Sequence, residues 1–480
     1  MRILLATGRL AYPAVKELAD EKADVMMLDV NIAAFITPRM LERAVAGKTG
    51  DYDLILVSGL AASDFSGLER KLGVKIRLGP RYAYDIPLAL DFAGKIEFSH
   101  KVPADRLLAD VKREGALKEL EDMERDASCS FLLKGVKIGG NSGMKVVAEV
   151  GDATGLSDAD LIKKIESYGA ADIIDLGVPL ESSEGAVRHA VRLARRTTSK
   201  PISVDTLIPE YIRAGIDEGA SLVMSLTGSN MEEAGPIVAE KGLAAIVIPD
   251  GESLDSLFAN IAKAREMGIE NILADPILPP INYGFVYAVE RCRELGRREP
   301  DVPLFFGAGN VTEQMDADSV GANALLAGIA MELGVSALFT TEAGQKTVNS
   351  VAELKTACMM MALARHRRSV PKDLGLDLLV IKEKRARRDI VGPGTVVPAK
   401  RHEWKLDPAG SFNIFVDDGK IYAKNGDMTV VGEDAQSIVD TLMDMGLVSM
   451  LDHAGYLGIE LEKAELAIRF RRSYLQDEKF

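Results

Sequence analysis

Apolar positions in this chain gather into short runs separated by longer amphipathic stretches. Near the N-terminus, RILLATG, DVMMLDV and YDLILVSG are continuous apolar runs, as expected of strands buried on both faces of a parallel sheet. The segments between them, such as 11–20 and 37–46, carry helical spacing. Residues 1–125 therefore predict a Rossmann-like, doubly wound α/β domain. Its first strand-to-helix turn, ATGRL, holds a single glycine, Gly8, so the GxGxxG fingerprint is absent and no chemistry is assigned here. Arg9 reads as an exposed ion-pairing residue rather than an anion ligand.

Residues 126–366 carry a repeat. The predicted strands are KVVAEV (145–150), DIIDLG (172–177), PISVDT (201–206) and LVMSLT (222–227), followed by AAIVIP (244–249), NILADP (271–276), PLFFGA (303–308) and ALFTTE (337–342). A helical stretch follows each, the last at 350–366. Gly169, Gly219, Gly242, Gly268 and Gly334 stand where helices should stop in a left-handed residue. Eight such units in about 230 residues match a (β/α)8 TIM barrel in count and size, and an open sheet would not need such even spacing. The stripe CMMMALA (358–364) reads as core on the last barrel helix.

Residues 367–480 change character. KEKRARR (382–388) and GPG (392–394) read as a polar connector, with the basic run as a solvated face. SFNIFVDDGKIYAKN predicts a hairpin around Asp-Gly, with helices near 434–445 and over ELEKAELAIRFRRSYL. This makes a small C-terminal α+β module. Trp404 carries no argument.

Length and charge narrow the function. At 480 residues the chain is long enough for about three domains. Lys+Arg 58 against Asp+Glu 72 gives a net charge of −14, which argues against nucleic acid or an anionic membrane as partner. No apolar run approaches the roughly 18 residues of a membrane span, and MRILLATGRL reads as a first strand rather than a signal peptide. Cys129, Cys292 and Cys358 are far apart and form no CxxC pair. The expectation is a soluble, cytoplasmic, reduced protein, with a homodimer as the default assembly.

In a barrel of this kind the chemistry lies at the carboxyl ends of the strands. Those positions hold Glu149, Asp152, Asp175, Asp205, Ser225, Thr227, Asp250, Asp275, Asn310 and Glu342. None is histidine: His100, His189, His366, His402 and His453 fall on helices or outside the barrel. Carboxylates and amides suit a ligand rich in N–H donors, and not one dominated by phosphate. Metal ligands would come from separate strands, so spacing assigns no metal. Asp158 and Ser183 read as helix caps and Asp250 as a turn residue. Asp205 and Asp275 end otherwise apolar strands, so each carboxylate is partly desolvated and needs a partner. An aminopyrimidinone edge, with two parallel N–H donors, matches a carboxylate in bidentate fashion. In GAGN, two glycines let backbone approach a flat ligand, and Asn310 can both donate and accept.

GAADIIDLG, PISVDT, GASLVMSLTG and ADP, in order on successive strands, resemble the pterin-binding barrel of dihydropteroate synthase, which also serves corrinoid methyltransferases. With the domain in front and HAGYLGIELEKAE in the tail, the whole chain resembles the dihydropteroate synthase-related proteins of methane-forming archaea and methylotrophs. The resemblance implies a reduced pterin of the tetrahydromethanopterin class as substrate or cofactor. It places Asp205 and Asp275 on the pterin ring, with Glu149, Asp175, Ser225 and Lys346 as further binding residues. The synthase's next-strand asparagine aligns with Met224, unless Ser225 or Thr227 takes over its role.

Three anion-handling stretches of the synthase are replaced here by ESSEG (181–185), GAGNVTE (307–313) and TTEAGQK (340–346), leaving Lys346 as the nearby cation. Glu181, Glu184 and Glu342 would repel a diphosphate by on the order of a kcal/mol per contact. GAGNVTE resembles instead the GxSNVSFG stretch of the methyltransferases, which implies that Asn310 acts near the pterin N5, with Asp205, as catalytic residue. The acceptor would be a corrinoid on another protein, because DHAGYLG (452–458) lacks the DxHxxG spacing. The expected function is therefore pterin-dependent one-carbon transfer. Condensation in pterin biosynthesis and a non-catalytic pterin carrier are the alternatives.

Overall fold

The computed structural model describes residues 1–251, 253–382, 395, 397–400 and 405–479. Most of KEKRARR, GPG, His402 and Trp404 lie outside the described residues. The chain divides into two compact units, Met1–Gly392 and Pro393–Phe480.

The first unit opens with a parallel sheet of β1 (Ile3–Thr7), β2 (Asp24–Met27), β3 (Leu54–Val57) and β4 (Lys75–Leu78), in the order β2-β1-β3-β4. β1 and β3 are buried along their length because helices cover both faces, one core gathering Leu4, Ile55 and Ile76, the other Ile3, Leu5 and Leu56. DVMMLDV departs from the expectation of a fully buried strand. β2 lies at the sheet edge with Met27 exposed, since an edge strand has one neighbour rather than two. β4, of sequence KIRL, was too short and too charged to be read as a strand. Arg9 pairs with Asp29 at the surface, as expected. The helix Ala104–Asp126 then runs from the second of these cores, through Ala104 and Leu108, to the last barrel helix, where Ala116 packs on Met360 and Leu363.

A short hairpin of β5 (Phe131–Leu133) and β6 (Val136–Ile138) precedes the barrel. The barrel strands are β7 (Lys145–Val150), β8 (Ile173–Gly177), β9 (Ile202–Asp205), β10 (Leu222–Leu226), β11 (Ala244–Val247), β12 (Asn271–Ala274), β13 (Leu304–Gly307) and β14 (Val335–Thr341). All eight coincide with the predicted runs, and β14 pairs in parallel with β7 to close the cylinder. The last helix, Ser350–His366, buries Cys358, Met360, Ala362, Leu363 and Ala364. Gly219, Gly242, Gly268 and Gly334 adopt positive φ; Gly169 does not, because its helix ends on Tyr168 with φ −85°. Ser183 caps its helix as expected, but Ser157, not Asp158, caps the preceding one, and Asp158 pairs instead with His189.

Strand alternation decides what lies inside. Val147, Ile173, Leu222, Ala244, Leu273, Phe305 and Ala337 form an interior layer with Leu133 and Ile138 of the hairpin. These positions sit toward the amino ends of their strands, so the hairpin is a plug at that end. The sequence reading missed it because two three-residue strands give no periodicity.

In the second unit, β15 (Asn413–Asp417), β16 (Lys420–Asn425) and β17 (Met428–Gly432) form an antiparallel sheet. Asp418 and Gly419 both have positive φ, 43° and 73°, which is the two-residue hairpin turn that Asp-Gly favours. Helices Ala435–Asp444 and Leu451–Arg469 bury Ile438, Leu442, Leu457 and Leu461 with Ile414 and Ile421. The last helix starts before ELEKAELAIRFRRSYL and stops inside it. Among the described residues, no helix is long and apolar enough to cross a membrane.

If the hairpin is part of the core, Ile138→Ala should cost about 2–4 kcal/mol, read by urea denaturation. A loss well under about 1 kcal/mol would show that the plug is not packed.

Candidate functional site

The same alternation that fills the lower barrel with aliphatic side chains carries carboxylates inward near the upper end. In register, Glu149 lies beside Asp175, Asp175 beside Ser203, and Asp205 beside Gly177. One carboxylate oxygen from each of Glu149, Asp175 and Asp205 falls within 4.8 Å of the other two. Gly177 makes this possible, since a Cβ there would stand 2.6 Å from Glu149 Oε1.

Each acid has a distinct environment. Asp175 is fully buried and accepts a hydrogen bond from the Ser203 hydroxyl. Burial, then the charges of Asp205 and Glu149, holds its carboxyl well above the ordinary range. Burial also raises Asp205, and the Ser225 hydroxyl, donating at 2.7 Å, partly offsets this. Glu149 is pushed up to about 7 by burial, with Asp205 and Glu313 adding to it and the Thr341 hydroxyl opposing. Like charges confined in a poorly hydrated space disfavour ionisation, and here the effect is shared among several groups.

Ser225 reaches Asp205 through an irregularity in β10. The pairing with β11 shifts register between Val223 and Leu226, and Ser225 takes φ 65°. Such a bulge re-aims a side chain. Met224, at the position aligned with the synthase's asparagine, remains buried among apolar interior residues. Ser225 is thus the polar contact this strand supplies, whereas the Thr227 hydroxyl shares a hydrogen bond with Ser229.

Across the barrel, Asp275 follows β12. Burial pushes it up to about 7, against the Ile277 N–H, the Arg291 guanidinium and, in the raising direction, Asp205. Its Oδ1 accepts from Ile277 N at 2.8 Å. Ile277 has φ 60°, which costs a β-branched residue about 1–3 kcal/mol, and Arg291 Nη2 holds its carbonyl at 3.0 Å. Asn310, exposed on the short turn Gly309–Thr312, donates from Nδ2 to Leu278 O at 3.0 Å, tying it to the Asp275 loop. A Cβ on Gly307 would stand 2.8 Å from that amide nitrogen, so the first glycine of GAGN leaves room for the Asn310 side chain.

Other predicted positions lie outside this group. Lys346 makes an exposed ion pair with Asp316. Asp250 is a turn residue whose carboxylate accepts from Gly228 N and Asn260 Nδ2. Glu342 accepts from Val351 N at the start of the last helix. Sequence reasoning missed Ser203, Thr341, Glu313 and Arg291. Ser203 and Thr341 were accessible, because each lies two residues or one closing register away from a named acid. Arg291, inside the helix Phe285–Arg298, gave no signal.

Asp275 provides a test of the electrostatics. A carboxyl raised in the folded state binds protons that the unfolded chain has lost, between the ordinary value of about 4 and about 7. Its stabilising contribution is complete below about 4 and is lost as the pH rises to about 7. Asp275→Asn should therefore gain stability relative to wild type as pH rises through that window, read by urea unfolding at both ends. Parallel stability curves would show that Asp275 titrates normally.

Comparison with known proteins places the chain. Residues 406–477 match the family model PterinBD-DUF4346, and residues 1–81 match a "Family of unknown function (DUF6513)". "Uncharacterized protein MJ0107" of Methanocaldococcus jannaschii is 36% identical over 522 aligned positions, covering 99% of this chain and 98% of that protein. Among solved structures, dihydropteroate synthase from Thermus thermophilus in complex with 4-aminobenzoate is 19% identical with a TM-score of 0.37, covering 46% of this chain and 94% of that one. The Yersinia pestis enzyme with a pterine-sulfa conjugate is 19% identical with a TM-score of 0.39, covering 49% and 99%. The chain belongs to the family of the Methanocaldococcus protein, and in it the DUF6513 match precedes the eight-stranded barrel and the PterinBD-DUF4346 match follows it.

Proposed function

We propose that the barrel binds a reduced pterin of the tetrahydromethanopterin class and transfers a one-carbon group, in the first instance methyl, at N5. The observation that carries this reading is the pair Asp205 and Asp275. Both are half-buried carboxyls, at the end of the third barrel strand and just after the sixth, close enough for the charge of Asp205 to act on Asp275. Asp205 has a serine hydroxyl as partner and, among the described residues, no cation in an ion pair, so its remaining acceptor capacity suits the N–H edge of an aminopyrimidinone. Ser225, beside it, supplies a further polar contact. Glu149 and Asp175 belong to the same group.

Asn310 is the residue assigned to activation. One amide hydrogen is used on Leu278 O, which fixes the side chain, and the other is available to N5. Removing methyl from N5 makes that nitrogen more basic, so a donor aimed at it gains strength mainly in the transition state. The methyl acceptor is a corrinoid carried by a partner protein. Leu180, Leu207 and Tyr283, exposed by 64%, 51% and 80% on loops after β8, β9 and β12, give the same end of the barrel an apolar rim that such a partner can cover. Condensation with a pterin diphosphate is less well supported, because the Glu149, Asp175 and Asp205 carboxyls cluster here and Lys346 is paired with Asp316.

Calorimetry with methyl-tetrahydromethanopterin should show binding, and Asp205→Asn should weaken it by about 10- to 100-fold, or about 1.4–3 kcal/mol. Absence of binding at millimolar ligand would end the reading. Asn310→Ala should lower the rate of methyl transfer to a corrinoid by about 100-fold or more with little change in pterin affinity. Pyrophosphate release from 6-hydroxymethyl-dihydropterin diphosphate with an arylamine would favour condensation instead.

A further inference from the structure

The N-terminal domain has a cavity of its own, and the strand order locates it. In the order β2-β1-β3-β4, the helix that follows β1 (Tyr12–Ala19) packs on one face of the sheet through Val15 and Ala19. The helix that follows β3 (Ser66–Leu72) packs on the other face through Leu68. Neighbouring strands whose chains leave to opposite faces open a crevice beyond their carboxyl ends, the usual ligand position in an open α/β sheet. Backbone contacts hold this crevice open. The loop after β1 is pinned to the loop after β2, with Arg9 N on Val30 O at 2.8 Å and Leu10 N on Asn31 O at 3.1 Å. The loop after β3 is pinned to the loop after β4, with Gly59 N on Pro80 O at 3.1 Å. A Cβ on Gly8 would stand 2.8 Å from Asn31 O, and one on Gly59 would stand 2.5 Å from Gly79 O, so neither pair could close around a side chain. Between the two pairs lies a cavity of about 270 Å³, near the small end of ligand sites.

The lining is selective. The chain has a net charge of −14, yet among the described residues no Asp or Glu lines this cavity. Its walls are mostly aliphatic, and its polar side chains are Thr7, Asn31, Ser58 and Arg81. Leu10, Ile32 and Leu60 form its lip, exposed by 62%, 49% and 51%. Asp105 fixes Arg81, taking Nε at 2.9 Å and Nη2 at 2.8 Å and leaving Nη1 outside the pair. A phosphate would find few donors in the first loop. The N–H groups of Arg9, Leu10 and Tyr12 are spent on the carbonyls of Val30, Asn31 and Gly8, and Pro13 has none.

We propose that this cavity binds a small unphosphorylated monocarboxylate, with a compact apolar body between Leu10, Ile32 and Leu60 and its carboxylate on Arg81. The inference stands apart from the pterin reading, since no barrel residue takes part. Its test is calorimetry on the full chain with 2-naphthoate as probe. The protein should bind this acid at least about tenfold more tightly than 2-naphthol, a body of the same shape that is uncharged near neutral pH. Ala34→Trp, which fills the cavity, should weaken binding by more than about tenfold. The double variant Leu10→Asn/Leu60→Asn should do the same, and because both residues are exposed it serves if Ala34→Trp does not fold. Arg81→Met should bring 2-naphthoate down to the affinity of 2-naphthol while leaving 2-naphthol unchanged. Absence of saturable binding at millimolar 2-naphthoate, no preference for the acid, or undiminished affinity in the cavity variants would overturn the proposal.

Discussion

Charge repulsion among side chains that the barrel forces together is the constraint on which the site depends. Parallel strands in fixed register leave alternate side chains no choice of face, so Glu149, Asp175 and Asp205 must meet inside once the cylinder closes. Burial then works against their ionisation, and among the described residues no cation forms an ion pair with them. A fold chosen only for stability would place leucine or valine at these positions, as it does one layer below with Val147 and Ile173. The acids therefore carry a cost that a ligand can recover. This connects the strained chemistry of the interior to binding.

The surrounding structure is arranged to hold that cost. The β5–β6 hairpin closes the amino end of the barrel with Leu133 and Ile138, so the polar layer has an apolar floor. The bulge in β10 turns Ser225 toward Asp205, and Arg291 anchors the turn in which Ile277 is held at positive φ beside Asp275. Glycines at 177 and 307 make room for Glu149 and Asn310. Local strain at the bulge and at Ile277 thus coincides with the positions of the proposed ligand-binding groups, where strain is commonly stored.

Much of the fold was legible because its elements satisfy one rule each. Buried parallel strands read as apolar runs, and all eight barrel strands were found that way. The Asp-Gly hairpin in the second unit was found from turn chemistry alone. Elements that violate those rules escaped: the plug hairpin is too short to show alternation, and the charged β4 does not look buried. For the site, strand-end position identified Asp175, Asp205 and Asp275, because a carboxylate ending an apolar run is conspicuous. It did not reveal that Glu149, Asp175 and Asp205 converge, since convergence depends on register around the barrel. It also could not show that Lys346 is drawn to Asp316 or that Ser225 turns inward through a bulge. These are tertiary facts without a local pattern.

The central claim is that a flat, N–H-rich heterocycle lies in the carboxyl end of the barrel between Asp205 and Asp275. The most direct measurement is a crystal structure of the protein soaked with a reduced pterin. The account predicts the ring's aminopyrimidinone edge within hydrogen-bond distance of both carboxylates, with N5 facing Asn310. A ring bound elsewhere, or one that leaves either aspartate without contact, would contradict it.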